Sequence, residues 1–297
     1  MAESDKEAPY IPEKVPVKLG LDDRFRFRCH KDIACFNVCC HQIDLPLTPY
    51  DILRLKNRLG MTAIEFIKEY GLPYEMDAHG MPGIKMRPLP NSTSCPFVTE
   101  EGCSVYEDRP VACRYYALGR GSMRPVGEAR IEDYYFVVKE DHCLGHDESQ
   151  ETTIREYREQ QGIPKFDEMN EGWRDIIIKK RSSGPSVGRP PESSMRLFFM
   201  ASYDMEGFLA FLVSDGFRAI YDLDREELET LVKDEEARMQ FAWRFLKQVL
   251  FGEMTIPVRE DAKQAYEALL QERARAMEEE RRSFDRVEGA FDAPLPE

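Results

Sequence analysis

The sequence predicts an α+β protein. A small cysteine-rich, metal-binding domain with short helices and a small antiparallel sheet precedes a mainly helical carboxy-terminal region. Three observations lead there. All eight Cys and all five His fall between Cys29 and His146. Over the same stretch, helix starts and strand-like alternation follow one another at short intervals. From Met195 onward, apolar residues recur at helical spacing instead.

Taken in order, residues 1–24 hold three prolines in their first twenty positions and no periodicity, which predicts an extended arm. Thr48-Pro49-Tyr50-Asp51 reads as an N-cap followed by proline in the first turn. Ile52, Leu55 and Leu59 then share one helical face up to a stop at Gly60. Thr62-Ala63-Ile64-Glu65 is a capping box that starts a second helix through Phe66, Ile67 and Tyr70, with Gly71 as its stop. Ile84 to Arg87 alternates as a strand does, and Tyr134 to Val138 is a β-branched and aromatic run of strand length. We therefore place a metal-binding domain over 25–180. Residues 181–194, ten of whose fourteen are Gly, Pro or Ser, predict a linker. Beyond it, 195–297 predicts a helical region. Met195 to Gly252 reads as two or three helices, with Leu228, Leu231 and Val232 on one face and Phe241, Phe245, Leu246 and Val249 on another. Ala262 to Phe284 predicts a further, charge-rich helix whose run Glu278 to Arg282 is a solvated face.

Composition narrows the function. No apolar run approaches the eighteen or so residues that span a bilayer, and the acidic start Met1-Ala-Glu-Ser-Asp-Lys-Glu lacks the pattern of a secretory signal. We expect a cytoplasmic protein that neither crosses nor binds a membrane. Asp and Glu number 55 against 41 Lys and Arg, a net charge of −14 that repels a polyanion, so nucleic acid is not an expected partner. A protein substrate or partner, met through the helical carboxy-terminal region, remains open.

In a reducing compartment, concentrated cysteines signal metal or catalysis rather than disulfides. The first block is Cys29-x5-Cys35-x3-Cys39-Cys40, and the second is Cys95-x7-Cys103-x9-Cys113, with Cys143 alone thirty residues later. Neither contains a CxxC knuckle, so the case rests on density and geometry. On a helix Cys35 and Cys39 share a face while Cys40 turns away, and on a strand adjacent cysteines point to opposite sides. Cys39 and Cys40 therefore serve two centres, or one of them is not a ligand. Eight thiols allow two four-cysteine centres or one with spares. Thiolates around Zn²⁺ or an iron–sulfur core leave net negative charge that needs donors or cations nearby. Arg24, Arg26 and Arg28 precede Cys29, and Arg109 and Arg114 flank Cys113.

These residues resemble a family. Phe27-Arg28-Cys29, Cys35, Cys39-Cys40 and Leu47-Thr48-Pro49-Tyr50-Asp51-Ile52 are similar to the opening of the YkgJ-like cysteine-cluster proteins. Cys95-Pro96-Phe97, Gly102-Cys103-Ser104-Val105-Tyr106-Glu107, Arg109-Pro110 and Cys113-Arg114 are similar to that family's second block, and Cys143-Leu144-Gly145 to a later, looser motif. The resemblance covers about Phe25 to Gly145. It implies that Cys29, Cys35, Cys39, Cys40, Cys95, Cys103, Cys113 and Cys143 hold an iron–sulfur cluster or zinc; the long, irregular spacings and adjacent cysteines favour iron–sulfur, 4Fe-4S in type. The namesake pattern is C-x2-C-x2-C-C, whereas the gaps here are five and three. Because the family includes flagellin lysine N-methylase, the resemblance leaves an S-adenosylmethionine-dependent protein methyltransferase open beside an iron–sulfur oxidoreductase or a structural zinc protein with a helical interaction module.

Other residues carry less. His30 and His41 adjoin cluster cysteines, and His142 and His146 flank Cys143, but a supporting or surface role is expected for each. Tyr115-Tyr116 is expected to be core packing. Gly119-Arg120-Gly121 is too short for a phosphate-binding fingerprint. No Ser-His-Asp context, HExxH or nucleotide-binding half is visible.

Overall fold

The computed structural model describes residues 17–77, 80–123, 132–182, 191–265 and 268. The predicted linker core (183–190), most of the predicted arm (1–16), His79 and nearly all of the charge-rich helix expected over 262–284 lie outside the described residues. The chain divides into two compact units, Met1–Phe199 and Met200–Glu297. Among the described residues, no helix is long and apolar enough to cross a membrane.

In chain order the first unit holds β1 (Arg24–Arg26), a 3₁₀ turn (Val38–Cys40), β2 (Pro46–Leu47), α1 (Pro49–Leu59), α2 (Ala63–Tyr70), β3 (Gly71–Glu75) and β4 (Pro82–Met86). There follow β5 (Val98–Thr99), β6 (Gly102–Cys103), a 3₁₀ turn (Tyr106–Asp108), α3 (Val111–Tyr115), β7 (Leu118–Met123) and β8 (Glu132–Val137). A 3₁₀ turn (Leu144–His146), β9 (Glu151–Thr153), α4 (Ile154–Gln160) and α5 (Ile163–Ser182) complete it. The strands form small antiparallel sheets: β1 with β9, β2-β4-β3, β5 with β6, and β7 with β8. The class is α+β, as the sequence predicts.

The two predicted helices form for the reasons given. Thr48 and Thr62 each accept a backbone N–H three residues on while Asp51 and Glu65 reach back to the cap N–H, so both helices open with a full capping box. Gly60 ends α1 at φ 67°, a left-handed conformation that glycine adopts freely. Tyr50, Ile52, Leu55 and Phe66 are fully buried, as are Ile84 and Met86 of β4. A second apolar cluster joins Phe25, Phe27, Leu118, Tyr135, Ile154, Tyr157 and Ile163, with Cys143 packed at its edge. Leu19, in the predicted arm, exchanges both backbone hydrogen bonds with Tyr135. Helices α4 and α5, which sequence reasoning did not anticipate, lie between Cys143 and the predicted linker; α5 runs into that linker's first two residues.

Helix α6 (Glu192–Tyr203) begins before the division and ends in the second unit. The second unit continues with α7 (Met205–Leu212), α8 (Asp215–Ile220), α9 (Arg225–Lys233) and α10 (Glu235–Phe251). That makes five helices over 192–251 where two or three are expected. The difference lies in the caps: Asp204, Ser214, Asp224 and Asp234 each accept backbone N–H groups of a new first turn, cutting one apolar stretch into short helices. The expected faces also need correction. Leu231, Phe241, Phe245 and Leu246 are buried, but Val232 and Val249 are exposed. Phe245 packs against Phe208, Phe211, Phe217 and Tyr221.

Two stability outcomes follow from this packing. Phe245→Ala leaves a cavity among four aromatic rings and should cost about 3–5 kcal/mol, read as a lower denaturant midpoint. Asp51→Asn keeps the shape of a buried side chain but leaves one of two backbone N–H groups, Thr48 or Val111, without its acceptor. It should cost about 1–3 kcal/mol in the same measurement.

Candidate metal centre

The first cysteine block is fastened to the segment around Cys143. Beyond β1, Phe27 N–H donates to Gln150 O at 3.3 Å and Arg28 N–H to Gly145 O at 2.9 Å, which holds Cys29 beside the turn after Cys143. This approach needs glycine at 145: a Cβ there would lie 2.9 Å from Arg28 O and 2.7 Å from the Phe27 ring. Successive turns then carry the chain to Cys35, whose sulfur accepts the Leu144 N–H at 3.3 Å. Asn37 takes a left-handed conformation, φ 66°, and its amide donates to Thr99 O at 3.1 Å, bringing the Cys39-Cys40 turn against the second block.

The second block closes on Cys40. Cys95 N–H donates to Cys40 O at 2.8 Å, and Thr93 Oγ1 to His41 O at 2.6 Å. The β5–β6 hairpin pairs Val98 with Cys103, setting Cys103 back toward Cys95. Backbone N–H groups of Phe97 and Val98 point at the Cys95 sulfur, and that of Val105 at the Cys103 sulfur. Such donors favour the thiolate form. Cys113 rides on α3, whose first N–H, from Val111, donates to the buried Asp51 carboxylate at 2.8 Å. Burial pushes the Asp51 carboxyl up to about 6, against the hydrogen bonds from Thr48 and Val111.

All eight cysteines are free thiols. Burial, then Cys39, Cys35 and Cys143, push the Cys29 thiol up to about 11. Burial likewise raises Cys113, followed by Cys95, Asp51, Cys103 and Cys39, although solvent reaches part of its surface. Cys95 and Cys103 are raised by burial as well, against their backbone donors. Cys39 and Cys40 share a hydrogen bond with sulfurs 4.0 Å apart. That bond lowers Cys39 and raises Cys40, so the pair favours one thiolate and one thiol. Burial first, and repulsion between neighbouring negative sulfurs after it, keep protons on these thiols; a cation among them reverses the balance and releases the protons. The donor set therefore fits a thiolate-bound metal. It is not drawn tight around one point, however. Sulfurs on one zinc ion at about 2.3 Å lie about 3.8 Å apart, and among the described residues no three His, Cys, Asp or Glu side chains group closely enough to hold a single ion.

The flanking residues mostly turn elsewhere. His30 lies by Glu148 and Asp32, His41 Nδ1 pairs with Ser94 Oγ, His142 lies 3.4 Å from Glu140, and His146 Nε2 meets Val138 O. Arg114 does not face sulfur. Its guanidinium donates to the carbonyls of Arg109, Gln161 and Glu107, bracing the turn before Cys113. Arg109 donates to Tyr106 O and Gln161 Oε1, and its charge favours the Cys103 thiolate. Arg24 pairs with Glu151. Gly119 and Gly121 lie in β7, where they make room for the Phe136 and Tyr134 rings.

Sequence reasoning missed three contributors. The Leu144 amide on Cys35 is backbone and leaves no sequence signal. Tyr116, expected as core packing, sends its hydroxyl to Glu140 at 2.7 Å and within reach of Cys143. Asp51, legible as the third helical residue of a capping box, also anchors α3.

Neither a curated protein nor a solved structure matches the chain. Residues 28–161 do match a family model, described as "CxxCxxCC: Putative zinc- or iron-chelating domain". That span begins one residue before Cys29, encloses every cysteine and ends at Gln161, which receives Arg109 and Arg114. Over residues 28–161 the chain is accordingly similar to the CxxCxxCC family, the family of that zinc- or iron-chelating domain.

Proposed function

We propose that the protein holds iron–sulfur, 4Fe-4S in type, through Cys29, Cys35, Cys39, Cys40, Cys95, Cys103, Cys113 and Cys143. One observation carries this reading. Thiols from both blocks and from Cys143 are electrostatic neighbours, unpaired as disulfides, yet spread more widely than ligands of one ion. A polynuclear core takes ligands on separate irons from different directions, and such spacing suits it. Bound there, the cluster would supply electron transfer. The chain's own part is to aim sulfur at the metal, to tune it with the amides of Leu144, Phe97, Val98 and Val105, and to place the Tyr116 hydroxyl beside Cys143. A reducing compartment, the cytoplasm, keeps these thiols available. The methyltransferase reading gains no support from this geometry.

Anaerobically prepared protein should be brown, show sulfur-to-iron charge-transfer absorption and contain iron with acid-labile sulfide. Colourless protein with stoichiometric zinc would replace iron–sulfur by a structural zinc site. Stripping the metal should lower the unfolding midpoint, by an amount worth about 4 kcal/mol where free metal exceeds its Kd a thousandfold. Metal retention should also fall as pH drops, because protons compete for thiolates whose pKa values are raised in the empty site. Retention unchanged in mild acid would argue against sulfur ligation.

A further inference from the structure

We infer that Cys39 and Cys40 are a modification site, a dithiol that closes into a disulfide between sequence neighbours when a small disulfide oxidant is present and reopens with thiol. The inference goes beyond metal binding and uses the thiols alone. Their sulfurs lie 4.0 Å apart and share a hydrogen bond. Among the described residues no other two thiols share one. The backbone keeps them together, because the 3₁₀ turn that carries both is fastened at each end. Before it, Val38 N–H donates to Cys35 O at 3.1 Å and the Asn37 amide to Thr99 O at 3.1 Å. After it, His41 N–H donates to Val38 O at 3.0 Å, and Cys40 O accepts Cys95 N–H at 2.8 Å. Cys39 is exposed and Cys40 half-buried, so an oxidant in solution meets Cys39 first and Cys40 resolves.

The exchange balances with oxidised glutathione as the oxidant. The Cys39 thiolate attacks one glutathione sulfur, forming a mixed disulfide and releasing the first glutathione as a thiolate. The Cys40 thiolate then attacks the Cys39 sulfur and releases the second. Two cysteine thiols are oxidised, one glutathione disulfide is reduced, and the two cysteine protons end on the released thiols. Adjacent Cα atoms stand about 3.8 Å apart, below the roughly 4.4–6.8 Å usual across a disulfide. Closure therefore strains the turn, and a strained, accessible disulfide is readily reduced. In a reducing compartment the open form prevails, and closure answers a rise in oxidant.

The test uses the full chain, freed of metal by a chelator under reductant, exchanged into anaerobic buffer and treated with oxidised glutathione. Free thiols are then alkylated, and digests are read by mass spectrometry. The peptide holding Cys35, Cys39 and Cys40 should lose the mass of two hydrogens, carry the alkyl group on Cys35 only, and regain two alkylatable thiols after reduced glutathione. Cys40→Ser should stop at glutathione held on Cys39. A bond from Cys39 or Cys40 to any other cysteine, glutathione that persists on wild-type Cys39, or both residues alkylated after treatment overturns the inference. Should the variant fail to fold, the wild-type map still decides. Metal content measured on untreated protein judges the metal-binding reading separately: metal bound without this disulfide overturns the present inference alone, and the disulfide without metal leaves it standing.

Discussion

Sulfur crowded against sulfur governs the amino-terminal unit. Burial and neighbouring thiols raise Cys29 and Cys113, while the Cys39–Cys40 hydrogen bond concentrates acidity in one member of the pair. With protons on the thiols, the arrangement leaves none of the eight side chains fully buried: five are half-buried and three exposed. With a cation among them, attraction to a common charge offsets both the burial and the mutual repulsion that raised their pKa values. The geometry makes chemical sense in the second state.

Much of the remaining fold can be understood as support for that convergence. Gly145 admits the Arg28 backbone, Asn37 turns the chain and reaches Thr99, and Asp51 spans from the start of α1 to the start of α3. Arg114 spends its guanidinium on three carbonyls, although its position in the sequence suggested a counter-charge for Cys113. A cation that stays on the backbone fixes geometry without competing with the metal for sulfur. The acidic character of the chain as a whole leaves the charge of the centre to be balanced locally, by amides and by Arg109 near Cys103.

What the sequence revealed and what it hid follow from the range of the interactions. Thr48, Thr62 and Gly60 act within a few residues of themselves, so both helices after the first cluster were legible with their caps. Strand character at Ile84–Met86 and Tyr134–Val137 was legible from local alternation and branching, but their partners were not, because pairing is decided by distant residues. The carboxy-terminal helices were undercounted because single Asp and Ser caps inside an apolar stretch resemble ordinary polar punctuation. Val232 and Val249 show that spacing alone does not say which apolar residue reaches the interior. At the candidate metal centre, density and adjacency of cysteine pointed to the chemistry. Which thiols share a neighbourhood depends on contacts such as Leu144 to Cys35, across 109 residues of chain, and no spacing rule contains them.

The same long range explains why this part of the chain would use metal rather than a larger core. Strands β2, β5 and β6 are two residues long, and β1 and β9 are three; ladders this short are marginal in water without something else to hold them. The segments carrying Cys40, Cys95, Cys103 and Cys113 are separated by loops that cost entropy to close, and that cost grows slowly with length. A bond between sulfurs and one cation closes several such loops at once, as a disulfide closes one, and it remains available where disulfides do not persist. Adjacent cysteines add a further constraint: Cys39 and Cys40 share one 3₁₀ turn with their sulfurs 4.0 Å apart, and the Cys40 carbonyl takes the Cys95 N–H, so ordering either sulfur also orders the backbone that joins the first block to the second.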